Sequence, residues 1–342
     1  MLAGARRPWP ANRKPRGMRW VVTGGLGFIG SHFIRLALHE RPGLEVVNLD
    51  AMTYAGNPAN LRDLEQEPRY HFLRGDICDP AAVREAIGAQ ADAVVNFAAE
   101  THVDRSIDDP EAFLRTDALG TQVLLEAVRR GRASRLVQVS TDEVYGEVAQ
   151  GESVESDPLR PRSPYAASKA AADLLALAYH ATYGVPVVIT RGSNTYGPNQ
   201  YPEKIVPLFI TNLLDDRTVP VYGDGLQIRN WLYVEDHARA VLHVLEHGAA
   251  GSVYNAGGGS SLTNLELTRM LVGACGRSME RHVAHVTDRL GHDRRYALDS
   301  SRLHLLGWRP RVGFDEGLAG TIAWYRANEA WWRPLKGEHA PA

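Results

Sequence analysis

The chain has 342 residues, of which 44% are hydrophobic, so it can bury one large domain or a large domain with a smaller partner. Its formal net charge of -2 provides no basic field for nucleic acid, and no apolar run approaches the roughly eighteen residues of a membrane helix. The two cysteines, Cys78 and Cys275, lack metal-ligand spacing, which argues against a disulfide framework or a metal site and for a reducing compartment.

The first residues, 1–17, are basic and rich in proline. Arg6 and Arg7 match the start of a twin-arginine export signal, but no apolar segment follows them. The alternative is a disordered basic tail ahead of a domain that begins near Met18. We adopt that alternative and expect a cytoplasmic protein.

Short apolar runs alternate with helix-length segments from 19 to about 191. The runs that predict strands are Trp20–Val22, Glu45–Leu49, His71–Leu73, Ala93–Phe97, Leu136–Val139 and Val187–Ile189. Helix patterns fill the gaps, for example at Ile29–Glu40 and Glu111–Arg129. Apolar strands that alternate with helices predict an α/β fold, a doubly wound parallel sheet of the Rossmann type with right-handed crossovers.

Beyond 191 the pattern changes to loops rich in glycine, proline and asparagine, with shorter strands. Helices are predicted near Leu262–Cys275 and Gly317–Ala327. We expect residues 18–191 to form the Rossmann domain and residues 192–335 to form mainly a smaller α/β substrate-binding region. Some elements of the second region are expected to return to the Rossmann sheet.

The turn after the first strand carries a dinucleotide-binding fingerprint. Gly24, Gly27 and Gly30 allow a tight turn, a close approach to a pyrophosphate, and packing of the helix that Phe28 and Ile29 begin. A glycine-rich turn can also be purely structural. The strand–turn–helix context nevertheless favours dinucleotide binding.

Asp50 ends the second strand, twenty residues after Gly30. An acid there accepts hydrogen bonds from ribose hydroxyls and repels a 2′-phosphate, which favours NAD over NADP. Residues that follow the third and fourth strands are expected along the same edge, beside the cofactor: Asp76, Ile77, Phe97, Ala98 and Ala99.

Tyr165 and Lys169 lie four residues apart in a predicted helix that starts at Ser163 and Pro164. They therefore share one face, where they could be an ordinary surface pair. After a Rossmann fingerprint we interpret them as a catalytic base and its partner. The lysine is expected to lower the pKa of the phenol.

Asp142 and Glu143 follow the fifth strand. One interpretation is a turn in which Asp142 caps a backbone amide and Glu143 lies in solvent. The other is an acid and a base whose surroundings separate their pKa values. The position beside the Tyr–Lys helix favours the second.

Several motifs together resemble dTDP-glucose 4,6-dehydratases, and the similarity runs from about Met18 to Trp332. They are Thr23–Gly30, Ala98–Ser106, Ser140–Gly146, Ser163–Lys169, Pro202–Lys204 and Gly291–Tyr296. The Thr-Asp-Glu triplet is specific to these dehydratases, because sugar epimerases of this fold lack both acids.

The resemblance implies a catalytic set of Thr141, Asp142, Glu143, Tyr165 and Lys169. Tyr165 takes the sugar O4 proton while NAD+ oxidises C4, Glu143 removes the C5 proton, Asp142 protonates the departing O6, and the hydride returns to C6. Thr141 is expected to bind the sugar near O4. The enzyme would be a lyase that regenerates NAD+ in each cycle.

The resemblance also implies ligand contacts and a homodimer built through helices. Cofactor contacts extend to Thr53 and Thr116. The nucleotide-diphosphate hexose would be held by Thr101, Thr141, Asn194, Lys204, Tyr222, Arg229, Asn264 and His292. Among these, Arg229 can bind a diphosphate with two parallel hydrogen bonds.

Departures from the family pattern leave alternatives open. Thr195 and Asp117 each stand where asparagine is usual, and the segments Gly192–Ser193 and Gly197–Tyr201 are more similar to eukaryotic relatives, some of which act on UDP-glucose. The alternatives are a UDP-glucose 4,6-dehydratase, a nucleotide-sugar 4-epimerase in which both acids are idle, and a non-catalytic NAD-binding module.

Overall fold

The computed structural model describes residues 17–336, and residues 1–16 of the predicted tail, 1–17, lie outside the described residues. The strands are β1 Met18–Thr23, β2 Leu44–Asp50, β3 Tyr70–Arg74, β4 Ala93–Asn96, β5 Leu136–Thr141, β6 Val187–Gly192, β7 Asn194–Tyr196, β8 Val219–Tyr222, β9 Ile228–Tyr233, β10 Val253–Ala256, β11 Ser260–Thr263 and β12 Val283–Val286.

The main sheet is parallel throughout, with strand order β10-β6-β5-β4-β1-β2-β3. The predicted doubly wound Rossmann architecture is confirmed, because the order reverses between β1 and β4. The last strand, β10, comes from well beyond residue 191 and pairs with β6.

Helices cover both faces of this sheet and build the smaller lobe. They are α1 Phe28–Glu40, α2 Pro80–Ile87, α3 Val103–Asp108, α4 Pro110–Phe113, α5 Thr121–Arg129, α6 Pro164–Tyr183, α7 Ile205–Leu214, α8 Val234–His247, α9 Asn264–Ala274, α10 Met279–His282, α11 Ser301–Leu306, α12 Phe314–Ala327 and α13 Glu329–Lys336. No helix within 17–336 is long and apolar enough to cross a membrane.

Alternation along the strands sends neighbouring side chains into two different cores. Trp20 and Val22 of β1 pack in the core that contains residues of α1 and α8, whereas Val21 packs on the opposite face with residues of α2, α5 and α6. Both faces are therefore buried, as the continuous apolar strands predicted. A ligand site is therefore expected at the carboxyl ends of the strands.

The smaller lobe contains two short sheets, ordered β11-β9-β7 and β12-β8, over a third apolar core. The core includes Phe209, Trp231, Leu267, Tyr325 and Trp332. This lobe stands beside the carboxyl edge of the main sheet, because β7 follows β6 after a single residue.

The helix predicted over Glu111–Arg129 exists, but it is not a uniform α-helix. A π-helical turn, Leu114–Gly120, lies between α4 and α5. Such a turn widens the backbone and is frequent at functional sites. Here it carries the buried side chain of Asp117.

Candidate active site

The glycine-rich turn brings β1, α1 and β4 close together. A Cβ on Gly24, whose φ is +67°, would lie 2.6 Å from the amide nitrogen of Ala98, and one on Gly30 would collide with the carbonyl oxygen of Gly24. Gly27 is the N-cap of α1 and makes no side-chain cap, so the first amides of this helix face the cavity. These features fit a dinucleotide pyrophosphate at the helix N-terminus.

Asp50 connects the second strand to this turn. Its carboxylate accepts hydrogen bonds from the amides of Leu26 at 2.9 Å and Met52 at 2.8 Å. Burial raises the pKa of Asp50, and these two hydrogen bonds oppose the rise. Because each carboxylate oxygen has further lone pairs, the side chain can also accept from a ribose diol.

One cavity runs along the carboxyl edge of the sheet, from β3 to β6. The residues predicted for the cofactor and substrate that line it are Gly24, Gly27, Phe28, Ile29, Gly30, Asp50, Thr53, Asp76, Ile77, Phe97, Ala98, Ala99, Thr101, Thr116, Thr141, Asp142, Glu143, Lys169, Asn194 and Lys204. The predicted residues outside its lining are Tyr165, Tyr222, Arg229, Asn264 and His292.

Tyr165 lies directly behind the cavity wall, on the first turn of α6. Ser163 caps this helix by accepting the amide of Ala166 at 3.1 Å, as the sequence indicated. Tyr165 is 9% exposed, and its phenol lies close to Thr141, which opposes the rise of its pKa. Tyr165 is therefore next to the triplet that ends β5.

The expected lowering of the pKa of Tyr165 is not found in the chain by itself. Burial raises this pKa well above its ordinary value, and the carboxylates of Glu143, Asp117 and Asp142 raise it further. Lys169 donates its ammonium hydrogen bond to the carbonyl oxygen of Val139, at 2.9 Å. A tyrosinate here therefore needs positive charge from a bound partner.

Asp142 and Glu143 form a 3₁₀ turn, Asp142–Tyr145, immediately after β5. The turn is capped by Thr141, whose hydroxyl accepts the amide of Glu143 at 3.3 Å and donates to Asp142 at 3.2 Å. Asp142 is thus not the cap, and Glu143 lines the cavity instead of extending into solvent. The purely structural interpretation of the two acids does not describe this geometry.

The surroundings of the two acids differ. Asp142 is 3% exposed, its Oδ2 atom has no hydrogen-bond partner within 17–336, and burial followed by the Glu143 charge raises its pKa to about 7. Burial also raises the pKa of Glu143, but the charges of Arg289, Arg229 and Lys204 oppose that rise. Among the largest influences, three cations oppose the rise at Glu143 and only one cation, Arg229, opposes it at Asp142, a difference that favours Asp142 as the acid and Glu143 as the base.

The cations near Glu143 come from separate elements. Lys204 donates to the carbonyl oxygen of Thr101 at 2.5 Å, and Arg229 donates to that of Asp293 at 2.9 Å. Both side chains are buried or nearly so, and the Nε atom of Arg289 has no partner among the described residues. Such a cluster can bind an anionic ligand such as a diphosphate.

The other predicted substrate residues lie on the rim of the smaller lobe. His292 is paired with Asp288 at 2.6 Å and lies edge-on to Tyr222, with ring centroids 6.3 Å apart. Asn264 begins α9, where its carbonyl accepts from Thr268 at 2.6 Å. His292 thus contacts its own lobe, whereas Tyr222 lies near Asp104 of α3, and burial followed by the Asp104 charge raises the pKa of Tyr222.

Comparison with known proteins identifies the family to which this chain belongs. Residues 21–321 match the protein family described as GDP-mannose 4,6 dehydratase. The chain is 53% identical to a dTDP-glucose 4,6-dehydratase of Streptomyces niveus, over 93% of this chain and 96% of that protein. The chain belongs to the nucleotide-sugar 4,6-dehydratase family.

Solved structures place this family member among NAD-binding relatives. A crystal structure of a dTDP-glucose 4,6-dehydratase from Streptomyces venezuelae with NAD bound has a TM-score of 0.91 and 51% identity, covering 93% of this chain and all (100%) of that one. A UDP-glucose 4-epimerase of Thermus thermophilus in complex with NAD has a TM-score of 0.82 and 35% identity, covering 91% and 100%. Dehydratases and epimerases thus share this fold.

Sequence reasoning did not identify several residues of the nucleotide-sugar dehydratase site. The cavity is also lined by Glu100, Gln200, Tyr201, Glu203, His237 and Trp331. Glu203 lies inside the motif Pro202–Lys204, which contributed to the resemblance, so the sequence could have indicated it as a site residue. No sequence motif indicated Trp331, because its indole nitrogen comes within 3.0 Å of the Asn60 side chain through folding alone.

Asp117, which replaces the usual asparagine of the dehydratase family, is fully buried. It accepts a hydrogen bond from the Ser168 hydroxyl at 2.6 Å and one from the Glu100 amide at 3.3 Å. Burial raises its pKa to about 6, and the charge of Lys169 opposes that rise. The side chain therefore ties α6 to the segment after β4.

Proposed function

We propose that this protein is a dTDP-glucose 4,6-dehydratase, which converts dTDP-glucose to dTDP-4-keto-6-deoxyglucose and water. The observation that carries the proposal is the position of Asp142 and Glu143 next to Thr141 and Tyr165, at the end of β5 and in the cofactor cavity. NAD fits that cavity, and when bound it accepts the hydride from the sugar and later returns it.

The chain's own residues account for the proton transfers. Tyr165 removes the O4 proton as C4 is oxidised, and Thr141, which lies close to that phenol, holds O4 in place. The resulting ketone acidifies C5–H. Glu143 takes the C5 proton and Asp142 gives its proton to the departing O6, which leaves as water.

The nucleotide end of the substrate is assigned to the cations and the smaller lobe. Lys204, Arg229 and Arg289 surround Glu143 with positive charge, which a diphosphate would neutralise on binding. Thr101 and Asn194 line the same cavity as Lys204.

A direct experiment compares two substrates. We expect the protein to convert dTDP-glucose to a 4-keto product that absorbs in alkali, and to convert UDP-glucose far more slowly. Faster turnover of UDP-glucose would show that the preferred substrate carries uracil and not thymine. Formation of a 4-epimer without a 4-keto-6-deoxy product would identify an epimerase, and no turnover with tight NAD binding would identify a binding module.

The pH dependence of turnover should reflect the protonation state of Asp142. With its pKa raised to about 7, the carboxyl is protonated below that pH and can donate to O6, so turnover should fall as the pH rises through about 7. Glu143 must be ionised, and its raised pKa places the acidic limb above the usual range of a glutamate. A stopped-flow pH profile of single turnover measures both limbs.

The helices beside the active site favour a homodimer. Gln122 of α5 donates to Tyr179 of α6 at 3.1 Å, so the two helices pack side by side. Leu174 of α6 is 56% exposed, and Leu114 of the π-helical turn that leads into α5 is 52% exposed. An apolar surface of this kind is covered in a stable oligomer.

We expect sedimentation at micromolar concentration to show a dimer, and Leu174→Arg to shift it to a monomer. The matched control is Leu305→Arg, since Leu305 is 90% exposed on α11, outside these helices. A monomeric wild-type protein, or equal effects of the two substitutions, would contradict the proposed interface.

A further inference from the structure

His237 lies in the first turn of α8, behind the end of β6, and is not used by the chemistry described above. Its side chain is 3% exposed, and its ring packs against Gly192 so closely that a Cβ there would lie 2.7 Å from Nε2. The ring also lines the cofactor cavity, together with Ser193 and Thr195. It is therefore a buried polar group at the cavity wall.

The hydrogen bonds around Thr195 determine which ring nitrogen carries the proton. The Thr195 hydroxyl donates to the carbonyl oxygen of Ser193 at 3.1 Å, and its oxygen is 2.7 Å from Nδ1 of His237. A hydroxyl has one hydrogen to donate, and we assign it to the Ser193 carbonyl, which makes Nδ1 the donor to Thr195. Burial lowers the pKa of His237 to about 4, so the ring is neutral and Nε2 is left as an unprotonated acceptor.

No donor reaches Nε2 from any residue in the part of the chain that the structure describes. A buried acceptor without a partner costs roughly 1–3 kcal/mol, and such an atom in a ligand cavity is normally satisfied by the ligand. The position of Nε2 in the cavity indicates which part of the ligand would hydrogen-bond to it. Gly192 lies opposite Thr141 in the β5–β6 register, whereas Asp50 and Asp76 mark the adenosine end, at β2 and β3.

We propose that Nε2 of His237 accepts a hydrogen bond from an N–H or O–H donor in the nicotinamide half of the bound dinucleotide. The donor is either the carboxamide nitrogen or a hydroxyl of the adjoining ribose. Thr195 is then a positioning residue, because it holds the histidine in the tautomer that leaves Nε2 free to accept. This inference rests on the proposed NAD-dependent function and assigns a role to a residue outside its proton transfers.

The test is the rate at which holoenzyme exchanges its bound NAD for excess isotopically labelled NAD. Protein samples are desalted at intervals and denatured, and the released nucleotide is analysed by mass spectrometry. His237→Asn keeps a donor near Thr195 but cannot reach the Nε2 position, whereas His237→Gln places a polar atom there. We expect exchange about three- to tenfold faster for His237→Asn and close to the wild-type rate for His237→Gln, the range expected for one hydrogen bond.

A second pair tests the tautomer without altering the histidine. Thr195→Val removes the acceptor for Nδ1–H and should speed exchange by a similar factor, whereas Thr195→Ser should not. Thermal unfolding of each variant shows whether the fold is intact. If His237→Asn or Thr195→Val does not fold, the other pair still decides.

The donor is identified with 3-acetylpyridine adenine dinucleotide, in which a methyl group replaces the carboxamide nitrogen. If the carboxamide is the donor, His237→Asn weakens NAD binding but hardly affects the analogue. If a ribose hydroxyl is the donor, both dinucleotides are weakened equally. Wild-type exchange rates in the folded His237→Asn and Thr195→Val variants would overturn the proposal, whereas wild-type protein that holds no NAD would contradict the proposed function instead.

Discussion

Tyr165→Phe is expected to stop the reaction before the sugar is oxidised. Without the phenol oxygen, O4 has no base, and loss of a positioned base typically costs on the order of 10²–10⁴-fold in rate. The ring would still fill the space against Phe113, from which its centroid is 6.2 Å. The fold should therefore be unchanged, and the loss should appear in the first chemical step.

The measurement is the absorbance of reduced nicotinamide in a single turnover after dTDP-glucose is mixed with holoenzyme. We expect almost no reduced cofactor to form with Tyr165→Phe. Tyr183→Phe is the control, because Tyr183 is on the same helix but is 57% exposed. Normal cofactor reduction by Tyr165→Phe would remove Tyr165 from the role of base.

Asp142→Asn and Glu143→Gln are expected to block the reaction after oxidation instead. Asparagine retains the shape of Asp142 but cannot deliver a proton to O6, and glutamine at 143 cannot accept the C5 proton. Each substitution should reduce turnover on the order of 10²–10⁴-fold. Reduced cofactor should still appear, because Tyr165 and Thr141 are intact.

The two acids can be separated by solvent exchange at C5. In deuterated water, Asp142→Asn should still exchange the C5 hydrogen through Glu143, whereas Glu143→Gln should not. Glu147→Gln is the matched control, since Glu147 is exposed and pairs with Arg162 at the surface. Full turnover by the double variant at 142 and 143 would show that the acids are structural and would remove the main support for a dehydratase.

The predictable parts of this site were those set by local sequence. Ser163 and Pro164 specify the start of α6, and the four-residue spacing then places Tyr165 and Lys169 on one face regardless of the rest of the fold. The glycine turn and Asp50 were predictable in the same way. Each depends on residues within a single strand–turn–helix unit.

The parts that were missed depend on elements distant in sequence. The raised pKa of Tyr165 results from burial and from carboxylates on the π-helical turn and after β5, which a spacing of four residues cannot reveal. Arg289 lies on a loop of the smaller lobe and comes near Glu143 only in the folded chain. In the sequence His237 resembles an ordinary helix residue, because nothing local shows that Gly192 admits its ring.

In the proposed reaction one enzyme oxidises C4, eliminates water between C5 and C6, and reduces C6. Its most direct test uses dTDP-glucose that carries deuterium at C4, followed by NMR of the product. We predict that the deuterium is found at C6 of a 4-keto-6-deoxy sugar, with a solvent hydrogen at C5. Deuterium that remains at C4 of an epimerised sugar, or that is lost to solvent, would contradict the account.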